Sequence, residues 1–335
     1  MIISVCIPTY NQATYIEQSI RSVMGQTLLP DEIIVSNDCS TDNTFEILED
    51  LKREISILKV IHQPVNLGMV ANTNLCLRMA AGEFIIKLDS DDYLLPDYTK
   101  ILSAKLKINV KAGYAHAAVN EIDEYGTIRK KRVLFRTNDY IDADEALKTC
   151  IKGYKVTANI IMFRRTALEA VNYITSNVEF AEDYYLSAEI AAAGFGNVYN
   201  PNILSCYRMW SDSGDIRKKR KLNEINGLRI IFEKVFEPAF RSRKWGFKKI
   251  IEAKENFART HASCLGWNVF NPEEKKTIEK AILRLSSTKR TRTLIWLYKN
   301  GLGKVIDLNR GLREISRRRI KISIQAFKRL HRIMI

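Results

Sequence analysis

Two hydrophobic periods alternate along the first hundred residues of the chain. Short apolar runs rich in β-branched residues are typical of strands buried on both faces. Between these runs, apolar residues such as Ile16, Ile20 and Val23 recur at helical spacing, after a Thr14-to-Glu17 pattern typical of a capping box. The four strands predicted in this region span residues 2–7, 32–36, 58–62 and 84–88.

The alternation of strand and helix, with short connections, predicts an α/β fold with a doubly wound, mostly parallel sheet. Later strands are predicted at residues 114–119, 160–163 and 203–209, and a helix at 181–193. Beyond residue 210 the strand pattern gives way to helices, one of them opened by Asn271 and Pro272. We therefore expect an α/β domain over residues 1–215, a helical extension over 216–303 and a basic tail over 304–335.

Polar side chains follow several of the predicted strands. Because open α/β sheets bind ligands outside the carboxyl ends of their strands, these positions are candidates for a binding site. They are Pro8, Thr9, Tyr10 and Asn11 after the first strand, Asn37 and Asp38 after the second, and Asp89, Ser90, Asp91 and Asp92 after the fourth.

The acidic cluster after the fourth strand is the strongest local signal. Three carboxylates within four residues, Asp89, Asp91 and Asp92, repel one another unless a cation or a set of donors neutralises them. Oxygen ligands of this kind suit Mg²⁺ or Mn²⁺. The alternative is a surface turn in which Asp92 caps the next helix.

Four other positions allow both a functional and a structural interpretation. Asp38 can accept hydrogen bonds from a nucleotide or can simply form a helix-entry turn, and Tyr10 can stack on a base or pack against the protein. Asp183, beside Glu182 in the first turn of a helix, is favoured there by the helix dipole but can also act as a general base. Arg208, after the last predicted strand, can bind a diphosphate or remain a surface cation.

The charge of the chain is unevenly distributed. The net charge is +15, with −5 on residues 1–210 and +20 on residues 211–335. This asymmetry predicts an anionic partner for the last third, such as lipid or nucleic acid, unless the basic face is only solvated. No RNA-binding, zinc-finger or helix-turn-helix signature is present, so nucleic acid is not the expected partner. The six cysteines are scattered and predict neither a disulfide framework nor a zinc site.

The basic tail, residues 304–335, combines a net charge of +8 with apolar residues at helical spacing. This pattern predicts either an amphipathic helix on an anionic membrane or a helix docked on the protein itself. No apolar stretch reaches the length of a membrane span, and the first residues lack a signal-peptide pattern. We therefore expect a cytoplasmic protein, peripheral on the inner face of the plasma membrane if the tail binds lipid.

Taken together, five ordered blocks of sequence resemble the family 2 inverting glycosyltransferases, which have the GT-A fold. The resemblance covers roughly residues 2–215. The blocks are Ser4 to Asn11, Glu32 to Asp42, Asn66-Leu67-Gly68, Asp89-Ser90-Asp91-Asp92, and Glu182-Asp183 with Tyr207-Arg208 downstream.

The resemblance implies a role for each candidate residue. Asp183 would be the catalytic base, Asp91 would hold Mn²⁺ or Mg²⁺, and Asp89 would contact the ribose or the sugar. The remaining candidates would bind the donor nucleotide and its diphosphate, with Asp38 on the base: Pro8, Thr9, Tyr10, Asn11, Asp38 and Arg208.

The chain departs from the family pattern at three points. Asn37-Asp38-Cys39-Ser40 stands where Asp-Asp-Gly-Ser is usual, so the nucleotide preference is less defined. Trp210 stands where many members have His, which changes the grip on the leaving diphosphate. The Gln-x-x-Arg-Trp motif of processive synthases is absent, which favours a single addition.

The leading hypothesis is therefore a metal-dependent, inverting hexosyl- or N-acetylhexosaminyltransferase. It would move one sugar from a nucleotide-diphosphate sugar, UDP favoured, to a hydroxyl of a glycan or lipid-linked polysaccharide precursor. A sugar-phosphate nucleotidyltransferase would carry a Gly-rich basic loop after the first strand, which Pro8 to Asn11 does not provide. A basic nucleic-acid-binding protein is the third hypothesis.

Overall fold

The computed structural model describes residues 2–174, 181–211 and 213–303, without the side chains of Ser213 and Ile216. The chain divides into two compact units, the first ending at Ile250 and the second beginning at Ile251. The expected domain boundary at residue 215 lies inside the first unit and stays a prediction. The expected amphipathic helix of the tail, residues 304–335, lies outside the described residues.

The first unit is built around a β-sheet of ten strands in the described residues. Those in the described residues are β1 Ile3–Thr9, β2 Glu32–Asn37, β3 Leu58–His62, β4 Phe84–Lys87, β5 Tyr93–Leu94, β6 Ala112–Ile122, β7 Ile128–Arg132, β8 Tyr140–Ile141, β9 Ile161–Arg164 and β10 Gly196–Arg208. They form one sheet in the order β3-β2-β1-β4-β9-β6-β10-β5, with β7 paired to β6 and β8 paired to β10.

Helices connect the strands and continue into the second unit. Their bounds are α1 Ile16–Met24, α2 Thr44–Glu54, α3 Met69–Met79, α4 Tyr98–Ile108, α5 Ala143–Cys150, α6 Arg165–Ala170, α7 Glu182–Ala192, α8 Ser213–Lys219, α9 Lys221–Ile231, α10 Glu237–Ser242, α11 Lys248–His261, α12 Pro272–Leu285 and α13 Lys289–Lys299. A π-helical turn, Phe232–Phe236, joins α9 to α10, and a 3₁₀ turn, Ala262–Gly266, follows α11.

The predicted doubly wound α/β architecture is confirmed. β3, β2, β1 and β4 run parallel to one another, and so do β6 and β10. β9 runs antiparallel between β4 and β6 and joins the two parallel parts. The carboxyl ends of β1, β2 and β4 therefore lie side by side, which brings together the polar residues that follow them.

The continuous apolar runs are explained by burial on both faces of the sheet. Ile3, Val5 and Ile7 of β1 pack into one core, whereas Cys6 packs into the core on the opposite face. Since side chains alternate between faces along a strand, both sets must be apolar.

Two local expectations differ from the structure. The capping box from Thr14 to Glu17 is wrong, because α1 begins only at Ile16 and has no side-chain cap. The preceding loop is instead held from outside, with the N–H of Gln12 donating to Thr44 Oγ1. The first strand also runs further than predicted, to Thr9, so that Pro8 and Thr9 belong to it.

The second unit is helical over its described part. α12 begins with a capping box in which Asn271 Oδ1 accepts from the N–H of Glu274, and the Glu274 side chain accepts from the N–H of Asn271. The predicted helix start at Asn271 is therefore confirmed. Within residues 2–174, 181–211 and 213–303, no helix has both the length and the apolar character that crossing a bilayer requires.

Candidate active site

The loops after β1 and β2 are joined by hydrogen bonds. Asn11 has a left-handed backbone, with φ +52°, and its side-chain oxygen accepts from the N–H of Thr41 at 2.8 Å. The N–H of Asn11 donates to Ser40 Oγ at 2.9 Å. Tyr10, between this junction and the strand, leaves about half of its side chain exposed at the edge of the sheet. The first two loops of the expected nucleotide pocket are thus joined into one rim by hydrogen bonds.

The Asp38 carboxylate connects this rim to the Asn66-Leu67-Gly68 turn. Its two oxygens accept from the N–H groups of Leu67 at 2.7 Å and Gly68 at 2.9 Å, and the residue is only 2% exposed. Asp38 therefore holds the Asn66-Leu67-Gly68 turn beside the rim in this structure, and its expected contact with a base stays a prediction. Cys39, at the position where the family usually has Gly, has φ +60°, a conformation that favours glycine.

Lys87, the last residue of β4, lies at the centre of the acidic edge. Its ammonium contacts Asp89 Oδ1 at 2.7 Å and lies 3.8 Å from Asp183 Oδ1, with only 7% of the side chain exposed. Although burial opposes its charge, the carboxylates of Asp183 and Asp89 hold the pKa of Lys87 above its ordinary value. Lys87 therefore links Asp89, in the loop after β4, to Asp183, in the first turn of α7.

Asp183 lies in the first turn of α7, where the helix dipole favours a carboxylate. Its side chain is 17% exposed. Burial raises the pKa of Asp183 to about 6, with Lys87 opposing the shift and Asp89 and Glu182 adding to it. A carboxylate with this pKa accepts protons well and is still charged at neutral pH, as a general base must be.

The Asp91 carboxylate accepts a hydrogen bond from Trp210 Nε1 at 2.8 Å. Burial and the neighbouring charge of Asp89 raise the pKa of Asp91, while the Trp210 and Arg208 contacts act in the opposite direction. Trp210, at the position where many family members have His, thus supplies a hydrogen-bond donor to Asp91.

The donor groups around Asp91 suit a divalent cation that binds together with the phosphates of a nucleotide. Among the described residues, no cluster of three His, Cys, Asp or Glu side chains could enclose a metal ion. Mg²⁺ is ordinarily held by one or two carboxylates together with substrate phosphates, so a full protein cage is not required. The unfavourable charge that the neighbouring Asp89 imposes on Asp91 is what such a cation would relieve.

Asp92 has a structural role. It is buried, and its Oδ1 accepts from the N–H of Arg208 at 2.7 Å, which ties the end of β10 to the acidic loop. Burial and the charges of Asp91 and Asp89 raise the pKa of Asp92. The alternative in which Asp92 caps the next helix is wrong, because α4 follows Asp97.

Arg208 holds the loops around the site together. Its guanidinium donates to the carbonyl oxygens of Asp91 at 2.8 Å, Asp123 at 2.9 Å and Glu124 at 3.0 Å, and to Gln18 Oε1 at 3.0 Å. It also stacks on the Tyr15 ring at 4.3 Å from the centroid, and the residue is 4% exposed. Since most of its donors are used within the protein, Arg208 supports the site in this structure, and its expected contact with a diphosphate stays a prediction.

The structure thus brings Asp89 and Asp183 together around Lys87, with Asp91 on the same loop as Asp89. Asp38 belongs to the neighbouring rim. Lys87, Gln18 and Tyr15 were missed in the sequence, although the basic residue at the end of the apolar run from Phe84 to Leu88 was a usable signal.

Comparison with known proteins shows the family of the chain. Residues 4–171, half of the chain, match the model of glycosyl transferase family 2. The chain therefore belongs to glycosyl transferase family 2. Among curated relatives, the chondroitin synthase of Pasteurella multocida is 37% identical over 100 residues, 30% of this chain and 10% of that protein.

Two further relatives extend the similarity. An uncharacterized glycosyltransferase of Haemophilus influenzae is 28% identical over 219 residues, 62% of this chain and 65% of the relative. The GalNAc(5)-diNAcBac-PP-undecaprenol β-1,3-glucosyltransferase of Campylobacter jejuni is 34% identical over 131 residues, 38% of this chain and 41% of the relative. The chain thus spans between 10% and 65% of the length of these three relatives.

Solved structures share the fold. TarS residues 1–349 of S. aureus in complex with UDP has a TM-score of 0.56 at 19% identity, over 90% of this chain and 92% of that one. The mannosyltransferase PcManGT of Pyrobaculum calidifontis, in complex with GDP-Man and Mn²⁺, has a TM-score of 0.54 at 17% identity, over 91% and 86% of the two chains. The expected GT-A fold is therefore confirmed.

Proposed function

We propose that this protein is an inverting glycosyltransferase that moves one sugar from a nucleotide-diphosphate sugar to an acceptor hydroxyl. The observation that carries the proposal is the pairing of Asp89 and Asp183 through the buried Lys87, at the ligand edge of a GT-A sheet. A partly exposed base beside an acidic donor loop is what a single displacement at a sugar carbon requires.

The chemistry assigned to Asp183 is general-base catalysis. Its carboxylate removes the proton from the acceptor hydroxyl as the oxygen attacks the anomeric carbon and the bond to the diphosphate breaks. The nucleoside diphosphate leaves with the bonding electrons, and one displacement inverts the anomeric configuration. A positioned base contributes roughly 10²–10⁴-fold in rate.

The donor would lie along the rim formed by the loops after β1 and β2. Tyr10, half-exposed there, offers an aromatic face to a nucleotide base, and Asp89 faces the ribose or the sugar. The carbonyl contacts of Arg208 support a positioning role for this residue in place of direct diphosphate binding. The fold is shared with TarS, which has been solved in complex with UDP-GlcNAc, and this supports a UDP-sugar as the first donor to test.

A divalent cation would be held by Asp91, with diphosphate oxygens and water completing its coordination. Bound there, Mn²⁺ or Mg²⁺ would stabilise the charge that develops on the leaving diphosphate. The presence of Mn²⁺ in the PcManGT complex supports this assignment.

The acceptor is proposed to be a glycan or a lipid-linked polysaccharide precursor. The undecaprenyl diphosphate in the name of the Campylobacter relative supports the lipid-linked class. The basic tail, residues 304–335, would bring the enzyme to the anionic inner face of the plasma membrane, where such acceptors are presented.

The test is donor turnover over a panel of UDP-, GDP- and dTDP-sugars with Mn²⁺, measured as release of the nucleoside diphosphate. We expect one donor class to be turned over, and Asp183→Asn to bind this donor but lose at least about 10²-fold in kcat. Asp50→Asn, which removes an exposed carboxylate on α2, is the matched control and should retain full activity. Near-normal turnover by Asp183→Asn would remove this residue from the base role.

A further inference from the structure

The placement of Lys87 follows from the alternation of β4. Ile85 and Lys87 point to the same face of the sheet, and Ile85 belongs there to the apolar core that also contains Leu186 and Ile190 of α7. Lys87 is paired in register with Cys6 of β1 and Ile161 of β9, two buried residues of that core. The lysine therefore occupies a position that the strand would otherwise give to an apolar residue.

A buried lysine at such a position destabilises the fold unless its ammonium is paired. Lys87 has two carboxylate partners at unequal distances, 2.7 Å to Asp89 and 3.8 Å to Asp183. Asp89 follows β4 directly, whereas Asp183 comes from α7, almost a hundred residues further along the chain. A single ammonium thus joins the loop assigned to the donor to the residue assigned as the base.

We propose that Lys87 is a positioning residue that holds the Asp183 carboxylate in place beside Asp89 and keeps it in its charged, proton-accepting form. The expected effect of Lys87 on kcat rests on the proposed function. Lys87 itself needs no contact with substrate. Lys87 acts through Asp183 and Asp89 alone.

The charged groups around Asp183 determine in which direction the removal of Lys87 shifts the pKa of Asp183. Lys87 faces it from β4, Asp89 from the loop that follows, Glu182 from its own helix, and the Tyr154 hydroxyl from the segment between α5 and β9. Lys87 is the cation of this set, so its removal leaves Asp183 among acidic groups and raises its pKa. The base then becomes charged, and active, only at higher pH.

The experiment compares the pH dependence of kcat in the wild-type chain, Lys87→Met and Lys87→Arg. In the wild type, kcat should rise with pH through about 6, as Asp183 loses its proton. In Lys87→Met this rise should move up by about one to three pH units. The loss of kcat at pH 7 should then be about twofold for a shift of one unit, about tenfold for two and about a hundredfold for three, and it should shrink at pH 9. Lys87→Arg should keep the rise near its wild-type position.

Lys59→Met is the matched control. Lys59 of β3 also pairs with a carboxylate of the sheet, Glu32, at 2.6 Å, but away from Asp183. Lys59→Met should leave the pH dependence of kcat unchanged even if this variant is less stable than the wild type. A rise at the same pH in Lys87→Met and in the wild type would overturn the inference.

A second measurement separates this inference from the proposed function and does not need activity. If the main role of Lys87 is to balance the negative charge of Asp183, Lys87→Met leaves this charge unpaired. The double variant Lys87→Met/Asp183→Asn should then unfold at a higher temperature than Lys87→Met alone. Equal or lower unfolding temperatures would contradict the pairing, including in the case that Lys87→Met is too unstable to assay. A wild-type chain that turns over no donor, with this coupling present, would refute only the proposed function.

Discussion

Two residues at which this chain departs from the family pattern, Cys39 and Trp210, have a physical explanation in the structure. Cys39 takes a left-handed conformation, φ +60°, that glycine adopts without strain, so the substitution keeps the turn at a cost in local energy. Trp210 uses its indole N–H to pair with the Asp91 carboxylate. An indole N–H only donates, so Trp210 cannot bind a cation through a nitrogen lone pair as an imidazole can.

The metal assignment is tested at the residue scale by Asp91→Asn. The amide oxygen of the variant can still accept from Trp210, so the fold should be retained, while the charge that attracts a cation is lost. We expect Mn²⁺-dependent binding of the donor nucleotide to weaken by at least about tenfold in calorimetry.

Asp97→Asn is the control for this change, since Asp97 belongs to the following turn and pairs with Thr27. An unchanged Mn²⁺ dependence in Asp91→Asn would show that the cation is held elsewhere.

At the scale of elements, the site depends on how strand ends and helix starts are tied together. β10 ends at Arg208, whose N–H donates to Asp92 and whose guanidinium reaches the carbonyls of Asp123 and Glu124 in the turn after β6. The alternation of periods predicted a mostly parallel, doubly wound sheet but no strand order. The antiparallel direction of β9 between β4 and β6 was not predictable, because a short apolar run does not indicate the direction of a strand.

Replacing Arg208 by Lys tests this role. Lysine keeps the charge but offers a single ammonium in place of a planar fork, so it cannot serve acceptors on two loops and on α1 and also stack on Tyr15. We expect the free energy of unfolding to fall by about 2–4 kcal/mol in chemical denaturation.

Arg53→Lys, which changes an exposed arginine of α2, should have almost no effect on stability. A similarly small effect of Arg208→Lys would mean that the guanidinium contacts contribute little, and would return Arg208 to the diphosphate role.

At the scale of the whole molecule, the main feature is the contrast between an acidic first part and a basic last third. Residues 1–210 have a net charge of −5 and contain every residue assigned to the site, whereas residues 211–335 have a net charge of +20. A basic surface favours an anionic partner through long-range attraction, which weakens as salt is added.

The membrane role of the tail is tested by cosedimentation of the full chain with anionic vesicles. We expect binding that decreases with salt and is weakened by roughly a hundredfold in Arg317→Gln/Arg318→Gln/Arg319→Gln, since each basic residue contributes about 1 kcal/mol at such a surface. The matched control removes three exposed charges of α12, in Lys276→Gln/Lys280→Gln/Arg284→Gln. Equal loss in both variants would indicate nonspecific charge attraction and would contradict a specific role of the tail.

The sequence by itself determined the α/β architecture and the strand ends where ligand groups collect, because hydrophobic period and strand termini are local properties of the chain. It also pointed to Asp38, Asp89, Asp91 and Asp183, because carboxylates after buried strands and at helix starts are visible in the pattern. Only the tertiary structure decided which of these groups meet. The contact of Lys87 with both Asp89 and Asp183, and the enclosure of Asp38 and Arg208 by backbone groups, depend on distances between segments that are remote along the chain, and no local pattern contains these distances.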